Sequence, residues 1–210
     1  MRVRGWKAWS ITASAIAGMT VFLSASATPP LPQAVQTATQ EVVLSLDHSQ
    51  SKVHYIVDST LHTVHGTFNL KSGTVRIDPA TGKAGGEIVV YATSGDSGNS
   101  SRDEKMHKEV LETKKYPEVV FRPTQVEGQV VLSGPSDVHL RGVLSLHGGD
   151  HDLVVPVHAE LIGDRWKGTT SFQVPYIQWG MKDPSNFLLK VKPNVAIELE
   201  LVGSLKLSNP

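Results

Sequence analysis

The feature that most limits what this chain can fold into is a two-residue alternation of apolar and polar side chains, repeated along most of its length. Val53, Tyr55 and Val57 show it, as do Ile88, Val90 and Ala92, and later Leu140, Gly142, Leu144 and Leu146. The clearest run sets Val195, Ile197, Leu199 and Leu201 against Ala196, Glu198, Glu200 and Val202. Successive side chains of an extended strand point to opposite faces, so each run describes a strand with one buried face and one wet face.

Turn-forming residues separate these runs: Asp78-Pro79-Ala80-Thr81-Gly82, Glu127-Gly128, Ser133-Gly134-Pro135, His147-Gly148-Gly149-Asp150 and Gly163-Asp164. Such short connections join antiparallel neighbours, because a parallel crossover takes a dozen residues or more. The pattern predicts an antiparallel meander. One segment breaks the rhythm: between Ser101 and Leu111, Met106, Val110 and Leu111 share a helical face, with Asp103 and Glu104 near the start, where the helix dipole favours acids. Thr93 to Ser100 reads as a polar loop before it, and Tyr116-Pro117 ends it ahead of a strand around Val119 to Phe121. Long antiparallel strands hide their edges by stacking two sheets or by closing into a barrel, and a barrel of about eight strands has room for one elongated ligand. Alternation alone leaves both open.

The first residues follow a different logic. Arg2, Arg4 and Lys7 precede an apolar stretch from Ile11 to Leu23 and a small-residue run ending in Ala25-Ser26-Ala27, the layout of a secretory signal peptide. That stretch is about 13 residues long and is broken by Thr12, Ser14, Gly18 and Thr20, whereas a helix needs roughly 20 apolar residues to span a bilayer. Cleavage after Ala27 is therefore expected. Residues 1–27 read as signal peptide, residues 28–41, rich in Pro, Thr, Gln and Ala, as a flexible leader, and residues 42–210 as one domain. The expected location is periplasmic or secreted.

There is no cysteine in the chain, which removes both the thiol that a lipid-anchored precursor needs and the disulfides that many exported domains use. The core must suffice, and about 180 residues can bury roughly 70% of their unfolded surface. Loss of Arg2, Arg4 and Lys7, with no acid removed, takes the formal charge from 0 to −3. A mildly acidic protein attracts nucleic-acid phosphates poorly, so no nucleic acid partner is expected. Charges, glycine or proline interrupt every later apolar run, so no membrane span is expected after cleavage. Nine histidines invite a metal reading, with His62 near His65 and His147 near His151. Zinc takes three or four protein ligands, and no such set is packed locally. No metal or catalytic cofactor is expected. A Gly-Xaa-Ser-Xaa-Gly elbow and a glycine-rich phosphate loop are both missing from the sequence, so an enzyme is not expected either.

Several segments together resemble the YceI-like family of exported, lipocalin-like barrels that bind polyisoprenoid lipids. They are Ser51-Lys52-Val53-His54-Tyr55, Val64-His65-Gly66-Thr67-Phe68 and Ser72-Gly73-Thr74-Val75, then Ser101-Arg102-Asp103-Glu104-Lys105-Met106 and Tyr116-Pro117-Glu118-Val119-Val120-Phe121. Leu140-Arg141-Gly142-Val143-Leu144-Ser145-Leu146-His147-Gly148 and Phe172-Gln173-Val174 complete the set. Where many members carry Arg-Xaa-Asp-Phe/Tyr-Gly, this chain has Tyr176-Ile177-Gln178-Trp179-Gly180-Met181-Lys182-Asp183-Pro184, which keeps only the glycine and puts the mouth near that turn in question.

The resemblance implies an all-β fold: an antiparallel, lipocalin-like β-barrel of about eight strands with one short helix near residues 101–111. It also implies a bound isoprenoid lipid, of quinone or polyprenyl phosphate type, carried or sequestered without catalysis. The inward-facing candidates are Val53, Tyr55, Phe68, Val75, Ile88, Val90, Met106, Phe121, Leu144, Leu146, Val155, Val157, Phe172, Val174 and Ile197. Trp179 and Met181 are further candidates at the rim. Arg102, Lys105 and Lys108 are candidates for a polar head group, against the simpler reading of a solvated helix face with partnered charges. The alternative function is a stress-protection or protein-interaction module whose barrel is filled by its own side chains. The sequence is compatible with a homodimer.

Overall fold

The computed structural model describes residues 40–208. The expected signal peptide and residues 28–39 of the expected leader lie outside the described residues. Nine antiparallel strands form one closed sheet: β1 (Glu41–Leu46), β2 (Lys52–Asp58), β3 (Thr63–Ile77), β4 (Ala84–Asp96), β5 (Glu118–Glu127), β6 (Gly134–Leu146), β7 (Gly149–Ile162), β8 (Arg165–Val174) and β9 (Val195–Ser208).

Nine strands make eight staves. β1 and β2 run in the same direction between β3 and β9, β1 against Thr74–Ile77 and Gly203–Ser208, β2 against Thr63–Phe68 and Ala196–Glu200. They are one stave interrupted at residues 47–51. There the Asp47 carboxylate accepts the Ser49 N–H at 2.9 Å, and the Asp47 carbonyl accepts the Ser51 N–H at 3.0 Å. The Ser49 hydroxyl and N–H hold the Asp47 carboxyl below its usual pKa.

Within single strands, β3 and β5 each change which parity faces inward, and both do so at register irregularities. On β3, Val64 and Phe68 face the interior at one end and Val75 and Ile77 at the other, with shifts at Thr67/Asn69 and Leu70/Ser72. On β5 the change falls between Phe121 and Val126, at Pro123/Gln125. An extra residue on one strand moves every following side chain to the opposite face, which keeps the apolar residues inside despite the broken alternation.

The β6–β7 hairpin turns on His147 and Gly148, both in the left-handed region at φ 53° and 78°. That is the backbone of a two-residue type I′ turn, whose twist matches the flanking strands. The Nε2 of His147 lies 2.7 Å from the Glu112 carboxylate, and its ring packs on Tyr116 with centroids 4.8 Å apart.

Three local expectations are corrected. Thr93 to Asp96 belong to β4 and are not loop, because β4 continues along β3 as far as the Thr67–Asp96 pair. Gly134 and Pro135 begin β6 and do not form a turn. They lie beyond the end of β5 and pair only with β7, and an edge position tolerates a residue without an N–H. The helical segment lies where expected, shifted by one residue, but is not one regular α-helix. It comprises α1 (Ser100–Lys105), capped by the Asn99 side chain, and a π-helical turn over Met106–Val110 in which the Leu111 N–H reaches the Met106 carbonyl at 2.8 Å.

Four connections end at one pole of the barrel, which we call the helix end: residues 59–62, the helix-bearing segment 97–117, the His147–Gly148 turn and the long segment 175–194. The other three hairpins lie at the opposite pole. There Val42, 1% exposed, packs with Val75, Ile77, Val126 and Val138, and close by Leu161, Trp166 and Leu201 form a second cluster. The hairpin end is plugged by the protein's own core.

Candidate functional site

Between the plug and the helix end the barrel encloses a cavity of about 560 Å³, within the range that holds a small-molecule ligand. Its wall is almost wholly aliphatic and aromatic. β8 shows how the sequence builds it: Trp166, Gly168, Thr170, Phe172 and Val174 face in, while the exposed Lys167, Ser171 and Gln173 alternate with them. From Trp166 to Val174 the strand rises roughly 26 Å, or roughly 20 Å along the barrel axis at a tilt of about 40°. An elongated apolar molecule fits that dimension.

The structure places every inward-facing candidate on this wall: Val53 and Tyr55 of β2, Phe68 and Val75 of β3, Ile88 and Val90 of β4, Phe121 of β5, Leu144 and Leu146 of β6. Val155 and Val157 of β7, Phe172 and Val174 of β8, Ile197 of β9 and Met106 of the π-helical turn complete them. Two glycines make room for large neighbours. A Cβ on Gly66 would collide with the Tyr55 ring, and one on Gly95 would lie 2.5 Å from the Met106 methyl and 2.7 Å from the Phe68 ring. Tyr55 and Phe68 pack with ring centroids 5.2 Å apart.

The wall also holds residues outside the candidates read from the sequence. Trp166 on β8 and Val42 and Leu44 on β1 carried a usable signal, the same alternation. Tyr176, Leu189 and Val191 come from segment 175–194, which has no period to read, and the rim candidate Met181 of the same segment also lines the wall.

The cavity meets solvent at the helix end, where His62 and Asn99 both line it and are exposed. The two charged side chains on its wall, Arg102 and Lys105, are also here. The Arg102 Nε donates to the Ser97 hydroxyl at 2.7 Å and its terminal nitrogen to the Ser97 carbonyl at 2.8 Å, while the Lys105 ammonium donates to the Pro184 carbonyl at 2.9 Å. Each cation is engaged by the protein yet faces no carboxylate within ion-pair distance among the described residues. Lys105 thereby ties the helix to segment 175–194. Lys108 is exposed and lies away from the wall.

Trp179 is also off the wall. It stacks on His151 of β7, with ring centroids 3.9 Å apart and planes 6° from parallel. The stack stands where the wall is least knitted: the β7–β8 ladder ends at the His158–Thr169 pair, leaving Gly149–Val157 without partners on β8. The histidine pairs weighed in the sequence have separate surroundings, His62 at the cavity opening, His65 exposed on β3, His147 beside Glu112 and His151 against Trp179. Among the described residues no group of three or more His, Asp or Glu side chains is placed to hold a metal ion.

Tyr176 closes the wall beside Met181, Val110 and Val174, and its hydroxyl has no partner among the described residues. Burial, with a smaller contribution from the Asp183 charge, pushes its pKa up from 10.0 to about 12. The unfolded chain releases this proton first, so the stability that depends on it is complete below pH 10 and is lost as pH rises to about 12. Tyr176→Phe is expected to leave stability near pH 7 unchanged or slightly higher. It should also remove roughly 1–2 kcal/mol of the decline seen in urea unfolding through that alkaline window.

The model of the YceI-like domain matches residues 44–203. The chain belongs to the YceI-like family. No curated protein matches the sequence. Solved structures agree with the barrel. Burkholderia cenocepacia BcnA aligns with a TM-score of 0.62 at 17% identity, covering 75% of this YceI-like chain and 99% of its own. A polyisoprenoid binding domain from Saccharophagus degradans, implicated in plant cell wall breakdown, aligns at 0.60 and 16% identity, covering 80% and 98%. The YceI protein of Campylobacter jejuni aligns at 0.55 and 16%, covering 68% and 85%.

The outer surface of this YceI-like barrel carries charge on every long strand, as at Arg141, Lys167, Glu198 and Glu200. Barrels that span membranes are patterned the other way, apolar outside. Among the described residues no helix is long and apolar enough to cross a membrane.

Proposed function

We propose that this YceI-like protein is an exported, non-catalytic carrier that sequesters one long isoprenoid lipid, of quinone or polyprenyl phosphate type, in its barrel. The observation that carries the reading is the continuous apolar cavity, open at one pole. Transfer of apolar surface out of water is worth about 25 cal/mol per Å², so a greasy chain along this wall is held without any reacting group. The polyisoprenoid binding domain with the same fold supports an isoprenoid cargo, and the basic, apolar, small-residue order of residues 1–27 supports export. The alternative of a filled barrel is disfavoured by the open volume.

Trp166 on the wall supplies a reporter. Titration of delipidated protein with an isoprenoid quinone is expected to quench its fluorescence saturably, one quinone per chain, with a Kd of about 1 μM or tighter. Trp166→Phe should remove most of the quench while leaving binding. Absence of saturable binding by both proteins would refute the carrier.

A further inference from the structure

The rim of the cavity carries apolar side chains that face away from it. Asn186–Leu189 is a tight turn in which the Asn186 amide oxygen accepts the N–H groups of Leu188 at 2.9 Å and Leu189 at 2.8 Å, and the Asn186 N–H donates to the Leu189 carbonyl at 2.9 Å. The central positions of such a turn ordinarily hold polar residues or glycine. Here they hold Phe187, 95% exposed, and Leu188, 78% exposed. Leu61, 70% exposed, protrudes from the neighbouring connection, which is stitched to this one by the Thr60 N–H to Lys190 carbonyl bond at 2.9 Å and a Ser59–Val191 bridge.

This tip is anchored. Lys105 holds the Pro184 carbonyl, Lys182 pairs with Glu109 at 2.6 Å, and Lys192 pairs with Asp58 at 2.9 Å. The next residues inward, Leu189 and Val191, already line the cavity, so an apolar path runs from the tip to the interior. Lys182 and Lys192 are thus matched by carboxylates, whereas Lys190 is exposed and makes no ion pair among the described residues.

We infer that Leu61, Phe187 and Leu188 form a membrane-docking tip that inserts into the interfacial zone of an anionic bilayer and sets the cavity mouth against the lipid it exchanges. This inference rests on the carrier reading above. Two observations select a bilayer. Lys190, exposed beside the tip and in no ion pair among the described residues, complements anionic head groups and strengthens attachment by about five-fold. The tip is also convex and small: three side chains of at most roughly 200 Å² each fall short of the roughly 800 Å² per partner of a stable protein interface.

The test is flotation of the chain, expressed in full, with vesicles of pure phosphatidylcholine or of equimolar phosphatidylcholine and phosphatidylglycerol. F187S/L188S and K190Q accompany the parent, with N-termini matched by intact mass and quinone titration run on all three. The parent should float with the anionic vesicles. F187S/L188S should bind them roughly 100-fold more weakly, K190Q about five-fold more weakly, and both should keep the parent's quinone affinity. Equal flotation of F187S/L188S and parent, or no flotation of the parent, overturns the docking tip. So does a parent dimer, by sedimentation, that F187S/L188S abolishes without any vesicle binding, since that assigns the surface to a second copy. Flotation that depends on the tip, without quinone binding by the parent, refutes the carrier reading and leaves the membrane contact standing.

Discussion

Leu144→Trp is expected to weaken quinone binding by roughly 70-fold while shifting the unfolding midpoint by only a few degrees. Leu144 sits on β6 facing the cavity, opposite Phe121 of β5 and His151 of β7. An indole there projects into open volume and removes about 100 Å² of wall from the ligand, which at 25 cal/mol per Å² is about 2.5 kcal/mol. In a barrel filled by its own side chains, the same insertion would overpack the core at about 1–3 kcal/mol with no binding to lose. Quinone titration and thermal unfolding of the same variant therefore separate an open barrel from a filled one. Val90→Trp, across the cavity wall on β4, should behave alike.

A large loss of stability is expected from Gly203→Ala, about 3–4 kcal/mol, read as a fall of roughly 10 °C in Tm. Gly203 pairs with Leu46 at the end of β1 and with Trp166 of β8, just where the divided stave is interrupted. A Cβ there would run into the Ser45 carbonyl oxygen and lie 2.6 Å from the Trp166 Nε1. The first obstacle is backbone, so relief requires moving β1 itself, and with it Val42 in the plug of the hairpin end. Gly85, whose Cβ would meet nothing within 4 Å, is the matched control, and Gly85→Ala should change little.

Strand faces were legible wherever the alternation ran unbroken, which is why Leu144, Leu146, Phe172, Val174 and Ile197 could be placed on the cavity side from sequence. The parity changes on β3 and β5 were not legible. Phe68 and Val75 cannot both face inward on a regular strand, and only the register shifts between them reconcile the two. The divided first stave was hidden for a different reason: each half is a short strand, and the five residues between them resemble an ordinary loop. Tyr176, Leu189 and Val191 reach the cavity from an irregular segment whose course is set by turns and by ties to Lys105 and Thr60, and no periodicity encodes that. Sequence likewise marked Arg102, Lys105 and Lys108 as one cationic group. The fold separates them: Lys105 ties the helix to segment 175–194, Arg102 bonds back to Ser97 within its own connection, and Lys108 goes to solvent.

The most direct test of an open barrel built to hold a lipid is native mass spectrometry of the protein purified gently from the cells that make it. A lipid-carrying barrel predicts a discrete excess mass, one hydrophobic molecule per chain, that is released by organic extraction and is reduced in Leu144→Trp. A chain that repeatedly returns its bare mass, and takes up no isoprenoid when one is supplied, would contradict it.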